Sequence, residues 1–391
     1  KRQEQREDVR RHIRKPKKIH RKTMSRFLLI SPKNRTAYNF RGELITQIRQ
    51  EGYEVIVTGP NREHVDKIEA LGARFIEIPM NKNGINPLAD LKYTFQLYKL
   101  MRKERPVCTL GYTIKPVIYG AIAAKLAGVG NINSMITGAG YLFISESRKA
   151  RMLKRISFLL YRIGLACAHK VIFQNPDDRK EFTAHQLVSP EKCHVVNGSG
   201  VNMRKFHPSP LPSTITFFML GRLLYSKGAM EYLKAAEIIK AHYPQVRFML
   251  LGNIVTDMQD GIKAQEIEPY LDNGIVELLG ETDHVIPYYN QCSVFVLPSY
   301  REGTPRSVLE AMAMERPIIT TDTQGCRETV VDGLNGYLVP IKDPVAVASA
   351  MERFILNPQS IDSMGKKSLA LCEEKFEVSK VNADMIEIME L

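Results

Sequence analysis

The chain has 391 residues, and its 44% hydrophobic and 25% charged residues are typical of globular proteins. This length predicts two or three domains, and the composition excludes a disordered, collagen-like or coiled-coil chain. Two segments carry the net charge of +13, because residues 1–26 hold +9, residues 142–170 hold +6 and the remainder holds −2. A basic surface over the whole chain, as in a dedicated nucleic-acid binder, is therefore excluded.

Residues 1–23 have almost no apolar side chains, and a strand-like run begins soon after them. We predict a disordered basic tail here, without the apolar core of a signal peptide. Apolar runs elsewhere fall short of the roughly 18 to 20 residues that a membrane-spanning helix needs. The six cysteines form no CxxC pair. We therefore expect reduced thiols, a cytoplasmic location and no metal site.

From Arg26 onward, short apolar runs alternate with segments whose apolar residues recur at helical spacing. Runs that are apolar on both faces and separated by helices indicate parallel sheets covered on both sides. Residues 24–198 contain the runs RFLLIS, YEVIVTG, RFIEIP, VCTLGY, NINSMITG, KVIFQN and CHVVNG. Residues 214–375 contain ITFFMLG, VRFMLLG, IVELLG, SVFVLPS, RPIITTD and GYLVP. The pattern predicts an α/β chain with two doubly wound, Rossmann-like domains.

Residues 199–213 are rich in Gly, Ser and Pro and are the predicted linker between these domains. Two doubly wound halves joined by one linker would face each other across a cleft. Ligands of such folds bind in the cleft, at the carboxyl ends of the strands. Residues 376–391 have the spacing of a further helix.

The basic stretch from Arg148 to Lys170 is a predicted amphipathic helix. Its apolar positions are Met152, Ile156, Leu159, Leu160 and Ile163. Two interpretations remain open: the apolar stripe packs into the core above a solvated basic face, or the helix rests on an anionic membrane surface.

The segment from Ser299 to Glu310 connects a buried strand to a helix, so its backbone amides open toward the cleft as a helix N-terminus. Such a terminus suits anionic or hydroxyl-rich ligand groups. The same residues can also simply begin the helix. Ser307 and Glu310 have the spacing of a capping box, and Thr304-Pro305 is an alternative start. Glu302 has no capping role, which favours a ligand there.

A second segment, from Gly221 to Gly228, also follows a strand and precedes a helix. Lys227 at a helix start opposes the helix dipole unless an anion lies nearby. Arg222 and Lys227 would then clamp a diphosphate, the former through bidentate hydrogen bonds and the latter as a point charge. The alternative is a solvated lysine and an arginine paired with a surface carboxylate.

Together these segments resemble the family 4 retaining glycosyltransferases of the GT-B fold. Glu302 to Glu310 matches the family's E-x7-E element, and Gly221-Arg222 with Lys227-Gly228 matches its diphosphate clamp. The resemblance covers about residues 24–391. It looks closest to bacterial enzymes that add an N-acetylhexosamine, often α-1,3 linked and including N-acetylgalactosamine, to an undecaprenyl-diphosphate-linked sugar during glycan assembly.

The resemblance implies a role for each matching residue. Glu302 would face the reacting centre and hold donor-sugar hydroxyls, and Glu310 would bind the ribose. Arg222 and Lys227 would neutralise the departing UDP without a metal or other cofactor. The further nucleotide-sugar contacts that it implies are Gly221, Asn253, Gly303, Thr304, Pro305 and Arg306. In relatives, the final helix returns to pack on the first domain.

On the acceptor side, the resemblance implies contacts from three loops of the first domain. Their residues are Asn39, Phe40 and Arg41 after the first strand, Thr113 and Lys115 after the fourth, and Thr137 and Gly138 after the fifth. Many relatives have a histidine in the second of these loops, and this sequence has none.

The sequence thus predicts a metal-independent enzyme that uses a UDP-sugar and a polyprenyl-diphosphate-linked sugar on the inner face of the cell membrane. It would act in the assembly of O-antigen, capsule or glycoprotein glycans. A sugar-nucleotide epimerase on the same fold and a transferase of a different UDP-hexose are the alternative enzymes. A sugar-binding scaffold with residues 1–23 as a nucleic-acid arm is the non-enzyme alternative, and no specific nucleic acid is expected as a partner.

Overall fold

The computed structural model describes residues 24–81, 86–138, 148–255, 258 and 260–391, and the side chains of all of these except residues 148–150. The predicted tail, residues 1–23, lies outside the described residues. Every strand of the described chain falls within one of the predicted apolar runs, and all strand pairs are parallel. The predicted pair of doubly wound domains is therefore confirmed.

The first sheet has the order β3-β2-β1-β4-β5-β6-β7. Its strands are β1 Arg26–Ile30, β2 Glu54–Gly59, β3 Arg74–Glu77, β4 Cys108–Tyr112, β5 Asn131–Ile136, β6 Lys170–Phe173 and β7 Cys193–Val195. Its helices are α1 Asn34–Gln50, α2 Val65–Glu69, α3 Pro87–Glu104, α4 Ala121–Ala127, α5 Arg148–Cys167 and α6 Pro176–Ala184. A π-helical turn, Pro116–Gly120, leads into α4, and a 3-10 turn, Pro190–Lys192, precedes β7. The strand order reverses between β1 and β4, because β2 and β3 are added on one side of β1 and β4 to β7 on the other, which makes the carboxyl ends of β1 and β4 the switch point of this sheet.

The second sheet has the order β10-β9-β8-β11-β12-β13, with its switch point between β8 and β11. Its strands are β8 Thr216–Leu220, β9 Arg247–Leu251, β10 Glu277–Leu278, β11 Val294–Leu297, β12 Ile318–Thr321 and β13 Gly336–Val339. Its helices are α7 Ala229–His242, α8 Ala264–Asp272, α9 Ile286–Tyr289, α10 Arg306–Ala313, α11 Pro344–Leu356 and α12 Gln359–Lys375. Two 3-10 turns, Tyr225–Lys227 and Arg327–Thr329, lie in its loops.

The last helix, α13 Val378–Met389, packs against the first sheet although it follows the second domain. Val381 and Met385 are buried in the same cluster as Phe27 of β1. Asn131 and Lys170 donate hydrogen bonds to the carbonyl oxygens at its end. The C-terminal helix therefore packs on the first domain.

Helix α5 packs on the first domain through the face that carries Tyr161, Gly164 and Leu165, and most of its predicted apolar stripe faces outward. Tyr161 and Leu165 are buried, and an added Cβ on Gly164 would lie 2.6 Å from the Cα of Ile118 in the preceding turn. Met152, Ile156, Leu159 and Ile163 are all exposed. The interpretation that this stripe packs into the core therefore holds only at Leu160 and is wrong at the other four positions, because close approach to the turn requires the face that carries Gly164.

Candidate functional site

The switch point of the second sheet brings one predicted cation to one predicted carboxylate. Lys227 lies in the loop after β8, and Glu302 lies in the loop after β11. The Nζ of Lys227 donates a hydrogen bond to Oε1 of Glu302, and both side chains are largely shielded from solvent. Gly228 follows with a φ of +70°, and an added Cβ there would lie 2.0 Å from the carbonyl oxygen of Pro298. Glycine is thus required for the turn that holds Lys227.

Glu310 is the fifth residue of α10, buried between Tyr289 and Arg306. Its Oε2 accepts a hydrogen bond from the Tyr289 hydroxyl at 3.1 Å, and its Oε1 accepts one from Nε of Arg306 at 3.2 Å. Burial raises the pKa of Glu310, against the opposing effects of these two partners. The carboxylate is therefore oriented from two sides.

The N-terminus of α10 shows whether the two predicted helix caps form. The helix begins at Arg306 with Pro305 as its N-cap, and no side chain forms a cap hydrogen bond. The predicted capping box of Ser307 with Glu310 does not form, and Thr304 does not cap the helix. Both predicted caps are therefore wrong, and the ligand role of the segment stays a prediction.

Arg306 joins the predicted nucleotide side to the predicted acceptor side. Its Nη1 donates a hydrogen bond of 2.5 Å to the carbonyl oxygen of Asn39, and its Cζ lies 5.4 Å from the ring centroid of Phe40. Both residues belong to α1 of the first domain. A single guanidinium therefore links Glu310 of the second domain to helix α1 of the first.

Gly303 and Thr304 are packed between the two domains. The side-chain amide of Asn175 donates to the carbonyl oxygen of Gly303 at 2.6 Å. The hydroxyl of Thr304 donates to the carbonyl oxygen of Gln174 at 2.9 Å. Both partners follow β6, so the loop after β11 closes directly on the first sheet.

The predicted loop Thr137 and Gly138 meets the same segment. An added Cβ on Gly303 would lie 2.7 Å from the carbonyl oxygen of Thr137. Gly138 has a φ of +110°, and a Cβ on it would lie 3.1 Å from the amide nitrogen of Gly303. The two backbones are therefore in close contact beside Glu302.

A shallow cavity of about 460 Å³ lies beside the carboxyl ends of β9 and β10. Its lining residues are Gly252, Asn253, Ile254, Leu278 and Gly280. The side-chain amide of Asn253 donates to Oε2 of Glu281 at 2.8 Å. Gly221, at the end of β8, approaches this wall, because a Cβ on Gly252 would lie 1.9 Å from its carbonyl oxygen. The cavity adjoins the loop that carries Lys227.

Three predicted residues are not brought to these clusters. Arg222 is exposed, with Nη1 3.4 Å from the sulfur of Met258. Lys115 is buried and donates to Oδ1 of Asp90 at 2.6 Å, which places its charge in an ion pair on α3. Thr113 has a left-handed φ of +67° at the end of β4. Their roles in binding stay predictions.

The structure also shows interdomain residues that the sequence patterns did not single out. Arg301 donates hydrogen bonds to Asp178 and Glu181 of α6, and its side chain is 5% exposed. Arg35 of α1 forms an ion pair with Asp283 at 2.7 Å. The Asn175-Pro176 start of α6 can be recognised from the sequence. No local pattern predicts that Asp178 pairs with Arg301, which is 123 positions away.

The titratable residues offer no metal centre within the described ranges. No group of three His, Cys, Asp or Glu side chains there could hold a metal ion. The cations of the site are instead side chains, Lys227 beside Glu302 and Arg306 beside Glu310. Such groups can orient hydroxyls and stabilise negative charge that develops on a leaving group.

Two family models match the two domains in turn. Residues 27–175 match the model described as "Glycosyl transferase 4-like", and residues 214–357 match "Glycosyl transferases group 1". The chain is a glycosyltransferase of the GT-B fold. The family resemblance that the sequence motifs indicated is thereby confirmed.

Similar proteins support this assignment. The chain is 28% identical over 320 residues to the Campylobacter jejuni N,N'-diacetylbacillosaminyl-diphospho-undecaprenol α-1,3-N-acetylgalactosaminyltransferase, covering 78% of this glycosyltransferase and 83% of the relative. It is 26% identical to an Escherichia coli UDP-Gal:α-D-GlcNAc-diphosphoundecaprenol α-1,3-galactosyltransferase, over 76% and 77% of the two chains. The Anabaena HepE structure with UDP and glucose superposes with a TM-score of 0.77 at 18% identity, over 94% and 99% of the chains, which shows the fold.

Proposed function

We propose that this glycosyltransferase moves an N-acetylhexosamine, with retention of configuration, from a UDP-sugar to a polyprenyl-diphosphate-linked sugar. The observation that carries the proposal is the Lys227–Glu302 pair at the switch point of the second sheet, facing the loops of the first domain. The printed activities of the Campylobacter and Escherichia coli relatives support the donor and acceptor classes. The names of these two relatives give different sugars, N-acetylgalactosamine and galactose, with the same α-1,3 linkage.

The proposed chemistry needs few protein groups. The bond between the sugar C1 and the UDP oxygen breaks, a bond from C1 to the acceptor oxygen forms on the same face, and the acceptor proton moves to the departing phosphate. Arg222 and Lys227 would stabilise the charge on that phosphate, so that no metal or cofactor is required. Glu302 would orient the donor sugar, and Glu310 would bind the ribose. Arg222 would have to turn from Met258 toward the phosphate when the donor binds.

A panel of UDP-sugars identifies the donor. A ligand present at 100 times its dissociation constant adds about 2.7 kcal/mol to the stability of the folded state, so the correct UDP-sugar raises the melting temperature. UDP alone should also raise it, because the clamp binds the diphosphate. If no UDP compound stabilises the protein, the proposed donor class is wrong.

Transfer is then measured by mass spectrometry with a short polyprenyl-diphosphate-linked sugar as acceptor. Glu302→Gln should lower kcat with little effect on UDP affinity, whereas Lys227→Met and Arg222→Met should weaken UDP binding. Glu268→Gln, an exposed carboxylate of α8, is the matched control and should leave both unchanged. Full turnover in Glu302→Gln would refute the role given to that residue. Isomerised UDP-sugar formed without acceptor would indicate the epimerase instead.

We further propose that the enzyme binds the inner, anionic face of the cell membrane through α3 and α5. No helix in the described ranges has the length and hydropathy needed to cross a bilayer. Both helices cover the same face of the first sheet, because Leu97 of α3 and Leu165 of α5 share one buried cluster. The proposed membrane-binding face is made of their outward apolar residues, Leu88, Leu91, Phe95, Met152, Ile156, Leu159 and Ile163.

Charge supports this face as a membrane contact. Helix α5 has six basic residues and no acidic residue in its sequence. On α3, Asp90 and Glu104 are buried in ion pairs with Lys115 and Arg74, so neither presents an exposed carboxylate. An apolar stripe beside basic side chains suits the interface of an anionic leaflet.

Vesicle binding tests this contact. Neutralising Arg151, Lys154 and Arg155 together should lower partitioning into phosphatidylglycerol vesicles by roughly 100-fold, since each basic residue contributes about 1 kcal/mol. Binding to phosphatidylcholine vesicles should be weak for both proteins. Lys366→Gln on α12 is the control and should change nothing. Equal binding of the triple variant and the unmodified enzyme would refute the membrane contact.

A further inference from the structure

Arg41 of α1 is a buried guanidinium that has no anionic partner among the residues that the structure describes. Its side chain is 2% exposed, and its Nε forms no hydrogen bond. No ion pair or hydrogen bond joins Arg41 to any residue that the structure describes. Its guanidinium carbon lies over the ring of Tyr112, 5.5 Å from the centroid. Most buried arginines are paired, so this one needs a physical explanation.

The charge on Arg41 is retained despite its burial. Burial, together with the positive charge of Arg306, lowers the pKa of Arg41 to about 10. At neutral pH the side chain is therefore still a cation, held in a site that destabilises it. Such a charge is tolerated where a bound anion compensates it, and an apolar side chain would serve the fold better.

The position of Arg41 is that of a ligand site. Tyr112 ends β4, and its hydroxyl lies 2.5 Å from Oγ of Ser31, which follows β1. The hydroxyl of Thr36 is also within 3.0 Å of that of Tyr112. These groups mark the carboxyl ends of β1 and β4, the switch point of the first sheet, where ligands of doubly wound sheets bind.

A second cation reaches the same edge from the other domain. Arg306 contacts Asn39 and Phe40, which are two residues and one residue before Arg41. Of the two guanidinium groups, Arg306 is the one paired with a carboxylate, that of Glu310. Arg41, Arg306 and Glu310 together therefore carry a net charge of +1.

We propose that Arg41 binds a phosphoryl group of a substrate diphosphate at the switch point of the first sheet. A guanidinium offers paired donors that match phosphoryl oxygens, and the buried site strengthens such bonds. This inference rests on the proposed function, which supplies two diphosphates, that of the donor and that of the lipid-linked acceptor. Since Arg222 and Lys227 are assigned to the donor in the second domain, the acceptor diphosphate is the expected occupant.

The test compares Arg41→Met and Arg41→Lys with Arg49→Met, an exposed arginine on the same helix. Without ligand, Arg41→Met should melt above the unmodified enzyme, because it removes an uncompensated buried charge. Calorimetry then measures UDP binding to each protein, followed by inorganic pyrophosphate binding to the UDP-saturated protein. Initial rates give KM for a lipid-diphosphate acceptor.

An acceptor site predicts that Arg41→Met weakens pyrophosphate binding and raises the acceptor KM at least tenfold, with UDP affinity unchanged and Arg41→Lys intermediate. If Arg41→Met instead lowers UDP affinity tenfold, the phosphoryl group that Arg41 binds belongs to the donor diphosphate. The proposal is overturned if all of these affinities equal those of Arg49→Met, or if the UDP-saturated unmodified enzyme binds no pyrophosphate. Pyrophosphate binding through Arg41 in an enzyme that transfers no sugar would leave this inference standing and refute the proposed function.

Discussion

The ion pair between Arg301 and Asp178 tests how the two domains are held together. Arg301 follows β11 of the second domain, and Asp178 lies in the first turn of α6 in the first. Their side chains are 5% and 0% exposed. Burial raises the pKa of Asp178 even with Arg301 beside it. Arg301→Met would leave that carboxylate buried without its cation, which costs roughly 3 to 5 kcal/mol.

The expected result is a large loss of thermal stability, measured by differential scanning calorimetry. For domains of 150 to 250 residues each 1 kcal/mol corresponds to about 2 to 4 °C, so a loss of about 3 kcal/mol lowers the melting temperature by roughly 6 to 12 °C. Adding Asp178→Asn should restore more than half of the loss, because the unpaired charge is then removed.

The chain supplies a matched control at the same interface. Arg327 and Asp177 form a 3.0 Å ion pair with side chains 40% and 30% exposed, so Arg327→Met should cost less than about 1 kcal/mol. If the two arginine variants lose equal stability, or the double variant recovers nothing, desolvation is not what makes the Arg301 pair important.

Three further outcomes are expected. Gly303→Ala should lower kcat at least tenfold, because its Cβ would lie 2.7 Å from the Thr137 carbonyl oxygen and hold the domains apart. Calorimetry should still detect UDP binding to this variant. Normal turnover would contradict the close contact between the two loops. Gly228→Ala should destabilise the second domain by more than about 1 kcal/mol in urea denaturation, since its φ is +70° and Pro298 leaves no room; an unchanged midpoint would be inconsistent with the observed turn. Glu310→Gln should melt above the unmodified enzyme at pH 7, because a folded-state pKa raised above 4.5 means that the fold loses stability as the pH rises through that pKa. The difference should shrink toward pH 4.5, and a pH-independent difference would show that charge burial is not its cause.

Arg41 and Arg301 show two ways in which this fold places buried charge. Arg301 meets two carboxylates of the other domain, and the resulting cluster closes the interface. Arg41 lies over an aromatic ring, and the positive charge of Arg306 lowers its pKa, so its charge is uncompensated by the described residues. The first arrangement is consistent with a structural contact, and the second with a site completed by a ligand.

Local sequence determined the fold class and the order of the elements. Strands buried on both faces are continuous apolar runs of about five residues, and these can be recognised without knowledge of their neighbours. Helix starts were equally local, as in Asn86-Pro87 and Asn175-Pro176, where the asparagine side chain accepts a hydrogen bond from the first turn. The loops with Lys227 and Glu302 were predictable for the same reason, because each follows such a strand.

Tertiary structure alone decided which of these side chains meet. The outward stripe of α5 could not be predicted, since its direction depends on the close contact of Gly164 with Ile118. The ion pair of Lys115 with Asp90, 25 residues earlier, likewise could not be predicted, because the two residues meet only in the folded chain. The missing partner of Arg41 is likewise a property of the folded chain. Periodicity reports which face of an element is apolar, whereas the charge opposite a buried group is set by elements that are distant in sequence.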